Sequence, residues 1–407
     1  VTETRILRNP LRQPIQLEAL GRATIDFHRR MPAYSPTLLV NAPSIAEQLG
    51  VGRVLLKAET QRLGLPSFKI LGASWATYRS IADHLGYDPE PWRNINQLAR
   101  ERLAHLRPFS LAAATDGNHG RAVAFMARLL GFEARIFVPE GTVAARIAAI
   151  QNEGAELTIV AGDYDAAVKR AAEEAGDRCL VISDTSWPGY EATPTRVIEG
   201  YSTIFAEIDD ALTANGLSQP DAVIVPVGVG ALMAAAVRAY RCGPGDGPVL
   251  IGVEPGDANC VLASAAAGHL VTVPGPHRSI MVGLNCGTPS PLAFPSVSAG
   301  TDAFVSMDDI WAKRAMCELA DAGVVAGETG AAALGGLRAM LAEESGRSLA
   351  AELGLGRDST VLLLCTEGAT DPENYATIVG RRPEQIGTIM TAAHLGRLEP
   401  YRKPAHA

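Results

Sequence analysis

Between residues 110 and 183, short apolar runs of strand length alternate with amphipathic stretches of helix length, and this alternation limits the available folds more than any other feature. Strands are expected over 110–114, 135–138, 157–160 and 180–183, with helices over 119–130, 142–152 and 163–174 between them. Strands separated by helices at this spacing pair in parallel through right-handed crossovers. Further along, 222–227, 249–253 and 360–365 are apolar throughout, the pattern of strands buried on both faces. A long helix near 194–215 precedes them, and helices are expected over 232–240, 308–322 and 329–341. Before residue 110 the chain reads as a helix over 44–49, a strand over 54–58, and a surface helix with a connection over 88–108. The expected architecture is α/β, with two parallel-sheet, three-layer domains. Residues 1–107 and 208–407 form the large one and 108–207 the small one. A cleft between two such sheets is a usual ligand site.

Charge narrows the partners. Forty-four acidic against 36 basic residues leave a formal charge of −8, and no basic run offers a surface to nucleic acid or to an anionic membrane. The uncharged run 222–237 is broken by Pro226, Gly228 and Gly230 and is too short to span a bilayer. The opening residues, Val-Thr-Glu-Thr-Arg, lack the apolar core of a signal peptide. Six cysteines without a C-x-x-C pair indicate neither a zinc site nor a disulfide framework. Cys260 and Cys286 flank a candidate active-site loop; a bond between them is open, although a reducing compartment favours free thiols. The expectation is a soluble cytoplasmic protein with no metal.

Chemistry concentrates at four places. In Leu65-Pro66-Ser67-Phe68-Lys69-Ile70-Leu71-Gly72-Ala73, a helix carried by Leu71, Trp75, Tyr78, Ala82 and Leu85 starts near Phe68 and stops at Gly86. Lys69 falls in its first turn, where the helix dipole disfavours a cation, lowers the amine pKa and suits a nucleophile. The plain alternative is a surface lysine. Thr115-Asp116-Gly117-Asn118-His119-Gly120 lies between a strand end and a helix, where backbone N–H groups face a carboxylate or phosphate; an Asx-capped turn is the plain alternative. Gly228-Val229-Gly230-Ala231 also joins a buried strand to a helix and can form an anion nest, though it lacks the third glycine and acidic partner of a dinucleotide site. Thr366, within Cys365-Thr366-Glu367-Gly368-Ala369-Thr370-Asp371, puts a hydroxyl at the carboxyl edge of the last strand.

Together these stretches describe a pyridoxal phosphate site, and Ser67-Phe68-Lys69 with Gly72-Ala73 resembles the cofactor lysine of fold type II, tryptophan synthase β-like enzymes. Within that group the chain is similar to the diaminopropionate ammonia-lyases over about residues 30–375. That resemblance rests on the loop 115–120, Asp184-Thr185-Ser186-Trp187-Pro188-Gly189-Tyr190, the stretch 280–287 and Thr366-Glu367-Gly368-Ala369-Thr370-Asp371.

The resemblance implies that Lys69, beside Phe68, holds pyridoxal 5'-phosphate as a Schiff base. Asn118 would bond its ring oxygen, Gly228, Val229, Gly230 and Ala231 its phosphate, and Thr366 its pyridine nitrogen. Thr115, Asp116, Gly117, His119 and Asp184 would meet a small amino acid substrate, in a cytoplasmic homodimer. The implied reaction is α,β-elimination of 2,3-diaminopropionate to pyruvate and two ammonia. A serine or threonine dehydratase of the same fold is the alternative, and a non-catalytic ligand sensor or a nucleotide-binding protein stands further off. The acids favour the diamine, because its second ammonium needs an anionic partner in a dry cleft. Either Asp116 or Asp184 can hold that ammonium or take the Cα proton, although Asp184 can equally cap a turn. His119 reads as a brace for its turn. Glu328 resembles a position near the ring or serves as a first-turn carboxylate, and Tyr164 and Arg278 stay unassigned.

Overall fold

The computed structural model describes residues 3–387, apart from 16, 20, 244 and 246. Its strands are β1 (Arg5–Arg8), β2 (Leu39–Asn41), β3 (Arg53–Ala58), β4 (Ser110–Ala114), β5 (Glu133–Pro139), β6 (Glu156–Val160), β7 (Cys179–Val181), β8 (Ala222–Pro226), β9 (Val249–Pro255), β10 (Ala303–Met307) and β11 (Thr360–Cys365). They build a seven-stranded sheet in the order β1-β10-β9-β8-β11-β3-β2 and a four-stranded sheet in the order β6-β5-β4-β7.

The small sheet is parallel throughout. In the large one the five central strands are parallel, and β1 and β2 close the edges antiparallel. Central strands such as β8 and β10 are buried at every position, so only apolar and small side chains fit both faces. Strand order reverses at β4, which lies between β5 and β7, and β8 and β11 lie side by side in the large sheet. The loops leaving the carboxyl ends of these three strands carry the motifs around Asn118, Gly230 and Thr366, where an open α/β sheet binds its ligand.

The lysine helix, Lys69–Leu85, ends at Gly86 in the left-handed conformation (φ +73°). It packs on the helix Ala192–Gly200 at very close range. A Cβ on Gly200 would lie 2.4 Å from the Leu71 carbonyl oxygen, and one on Gly72 would lie 2.5 Å from the Tyr201 ring. The single long helix expected near 194–215 is two helices, Ala192–Gly200 and Ser202–Ala214. The break falls at this contact, where the Tyr201 ring sits 4.7 Å from that of Phe68.

Two other expectations change. The segment 88–108 is no surface helix: Trp92, Ile95, Leu98, Ala99 and Leu103 are buried. The helix Ala332–Ala342 starts beyond Glu328, so Glu328 is not a first-turn carboxylate.

A buried ionic cluster ties β3 to the helix Ser202–Ala214. Glu207 accepts from Lys57 Nζ at 2.7 Å and from Arg62 Nη1 and Nη2 at 2.7 Å each, while Arg62 also reaches Glu59. Among the described residues, no helix is long and apolar enough to cross a membrane.

Candidate active site

Lys69 is the first residue of its helix, and its Nζ lies 2.6 Å from Asp184 Oδ2. The other oxygen, Asp184 Oδ1, accepts from the Tyr164 hydroxyl at 3.1 Å. The expected depression of the lysine pKa is reversed. Burial alone would push the Lys69 ammonium down, but the facing Asp184 carboxylate, helped by Tyr201 and Asp116, holds it above its usual range. A carboxylate at contact distance outweighs the partial charge of a helix end. Burial likewise opposes ionisation of Asp184, and the Lys69 charge overrides it, so this acid is held below the usual carboxylate range.

Asp116 behaves in the opposite way. It is half-buried just beyond the carboxyl end of β4, where desolvation raises its pKa; Arg146 and Lys69 oppose that rise, and Asp184 and Glu367 add to it. Gly117 follows with φ +154°, a conformation only glycine adopts easily, and its N–H donates to Thr115 Oγ1 at 2.8 Å. This turn exposes the N-terminus of the helix Asn118–Leu130 to the cleft. His119 is buried and braces the turn by donating from Nε2 to the Ile182 carbonyl at 2.8 Å. Burial pushes its pKa down, which leaves Nδ1 an unprotonated ring nitrogen 3.9 Å from Asp184.

Across the cleft, Gly228, Val229 and Gly230 link β8 to the helix Ala231–Tyr240, with Gly230 at φ +102°. A Cβ on Gly228 would come within 3.2 Å of Cys286 Sγ and 3.3 Å of the Gly283 carbonyl, a tight fit that favours glycine. Backbone N–H groups at a helix start suit a phosphate. Thr366 leaves β11 with its hydroxyl 3.3 Å from the Thr329 carbonyl.

Phe68, Lys69, Thr115, Asp116, Asn118, His119, Asp184, Gly228, Val229, Gly230, Ala231 and Thr366 all line the same cleft. An amine, a tight backbone cradle at a helix start and a neutral hydroxyl match the aldehyde, phosphate and ring nitrogen of pyridoxal phosphate.

The cleft also holds residues to which the sequence assigns no role, among them Tyr164, Tyr201, Thr329 and Glu367. Tyr164 donates to Asp184, and Glu367 is buried and accepts from the Asn118 amide. Both partners lie far away in the chain, so spacing gave no signal. Glu328 and Arg278 do not line the cleft. Glu328 Oε1 accepts from Asn374, and Arg278 is exposed in a neighbouring cavity. That outer cavity shares Asp116 and Tyr164 with the cleft. Cys260 and Cys286 are free thiols on either side of Gly228.

Residues 30–366 match the family of pyridoxal-phosphate dependent enzymes. The chain is 35% identical to a diaminopropionate ammonia-lyase of Salmonella typhimurium over 377 residues, covering 88% of this chain and 92% of that one. It is 33% identical to one from Escherichia coli, covering 90% and 92%. A crystal structure of the diaminopropionate ammonia lyase from Escherichia coli in complex with D-serine superposes with a TM-score of 0.84 at 30% identity, covering 93% of this chain and 97% of that one. With its two sheets, its lysine at the cleft and this kinship, the chain belongs to the pyridoxal-phosphate dependent enzymes of fold type II and, among them, to the diaminopropionate ammonia-lyase family.

Proposed function

We propose that this enzyme eliminates both amino groups of 2,3-diaminopropionate, consuming one water and giving pyruvate and two ammonia. The observation that carries this reading is the pair of carboxylates that line the cleft with Lys69: Asp184, buried and 2.6 Å from Lys69 Nζ, and Asp116, half-buried. A substrate bearing a second ammonium needs an anion there; a hydroxy amino acid does not.

When bound, pyridoxal phosphate supplies the electron sink that stabilises charge left at Cα. Lys69 would hold the cofactor and, once released from it, take the Cα proton. Thr366 would face the ring nitrogen as a neutral hydroxyl, and the backbone of residues 228–231 would hold the phosphate. The N-terminus of the helix Asn118–Leu130, opened by the turn at Thr115 and Gly117, would orient the substrate carboxylate. His119, held neutral, keeps that turn in place.

The two acids are pushed apart in pKa, which separates their roles. Asp184, held as an anion and steadied by the Tyr164 hydroxyl, suits pairing with the β-ammonium. Asp116, whose pKa is raised, suits holding and passing a proton as the β-amine leaves as ammonia. The large unit of residues 1–107 and 208–407 and the small unit of 108–207 would form the two walls. Free cysteines support a reducing cytoplasm, and kinship supports a homodimer, which light scattering of the purified protein would check.

Steady-state pyruvate release from diaminopropionate and from serine tests the reading. Asp116→Ser is expected to lower kcat/KM for the diamine by about 100-fold, the usual scale of an acid–base group, and for serine by far less. Equal losses on both substrates would count against the role of the acids, and turnover of serine alone would favour the dehydratase.

A further inference from the structure

Glu367 is 1% exposed, lines the cleft and touches no cation within salt-bridge reach among the described residues. Its two oxygens are both used by neutral donors. Oε1 accepts from the Thr329 backbone N–H at 3.2 Å, and Oε2 accepts from Asn118 Nδ2. The Glu367 backbone is fixed as well: its carbonyl accepts from Gly327 N–H at 3.1 Å, and a Cβ on Gly330 would lie 2.1 Å from that oxygen. A carboxylate so anchored is a rigid acceptor.

The Asn118 amide turns its nitrogen, not its oxygen, toward Glu367, whose Oε2 accepts from it. That nitrogen carries two hydrogens, and one is taken. The second remains for an acceptor in the cleft. Asn118 opens the helix after β4 in the small sheet, and Glu367 follows β11 in the large one, so the contact spans the two walls.

We propose that Glu367 is a positioning residue that acts through Asn118, fixing the amide so that it presents an N–H donor to an acceptor oxygen of the bound pyridoxal phosphate. This rests on the cofactor occupying the cleft and is independent of which amino acid is consumed. Glutamine at this position offers both a donor and an acceptor, so the orienting force disappears while size and shape are kept.

The test is a titration of the full-length chain, freed of cofactor, with pyridoxal phosphate, followed by the absorbance of the bound cofactor. Glu367→Gln is expected to weaken binding about 10-fold and to shift the absorbance band. Asn118→Ala is expected to weaken binding by itself, and adding Glu367→Gln to it should then change nothing further. Equal losses from Glu367→Gln with and without Asn118 would overturn the proposal, as would wild-type affinity and an unmoved band in Glu367→Gln. A structural role alone would lower the melting temperature of the cofactor-free protein and leave affinity and band untouched. Should Glu367→Gln fail to fold, Glu367→Asp takes its place in the same cycle: it keeps the charge but retracts it by one methylene, and an effect that persists without Asn118 would again refute the idea. Failure of the chain to release pyruvate from diaminopropionate would overturn the substrate assignment and leave this titration fully informative.

Discussion

At the scale of single residues, the contact between Lys69 Nζ and Asp184 decides the protonation of the amine. Asp184→Asn removes the anion that holds the lysine proton, and burial then pulls the Lys69 pKa downward. The expected result is a fall in kcat/KM of roughly 10²–10⁴, the usual scale of an acid–base group. Cofactor content, read by absorbance, should stay near that of the wild type. Lys69, Asp116, Asn118, Asp184 and Thr366 were all legible in the sequence as members of one site, because each follows a strand or opens a helix. Their protonation was not. The helix dipole pointed to a depressed lysine, and only the fold shows which carboxylate stands opposite it. Tyr164 and Glu367 were hidden for the same reason: a phenol or an acid gains its meaning from a partner 20 or 249 residues away.

At the scale of elements, the lysine helix owes its position to two glycines. Gly200→Ala drives a methyl into the Leu71 carbonyl, and Gly72→Ala drives one into Tyr201 and Val197. Overpacking of this kind costs about 1–3 kcal/mol. Each substitution should lower the urea midpoint by that amount with an unchanged slope, and should move the lysine enough to reduce cofactor occupancy. The regular part of the chain was readable to within a few residues: β4 and β11 fall where apolar runs predicted them, because a strand buried on both faces leaves no room for polar residues. Other elements carried weak patterns. β1 has arginine at both ends, β2 is three residues long, and β10 is a five-residue run containing Ser306. Their pairing comes from neighbours in the sheet and not from local preference. The break at Gly200 was equally unreadable, since helical spacing continues across it and only the approach of the lysine helix exposes it.

At the scale of the whole molecule, the cluster of Lys57, Glu59, Arg62 and Glu207 joins the start of the large sheet to the helix that follows the small one. Burial would raise the Glu207 pKa, but Arg62 and Lys57 outweigh it and bring the acid down to about 2 from 4.5. A depressed acid contributes stability that is fully present above its unfolded value and is lost as pH falls from about 4.5 toward about 2. Glu207→Gln leaves Lys57 and Arg62 to share Glu59 as their one acid in the cluster and should cost about 3 kcal/mol at neutral pH, the lower end for breaking a buried pair. Its remaining stability should decline less steeply between pH 4.5 and 2, which urea unfolding across that range would show. A variant with the same acid slope as the wild type would place the acid sensitivity elsewhere.

Asp116 and Tyr164 border both the inner cleft and the outer cavity. A guest arriving from the outer side would therefore meet an acid and a phenol before it reaches the lysine. Arg278 stands along the same approach with Asp163 and Asp165, so entry from this side would suit a guest that carries both signs of charge.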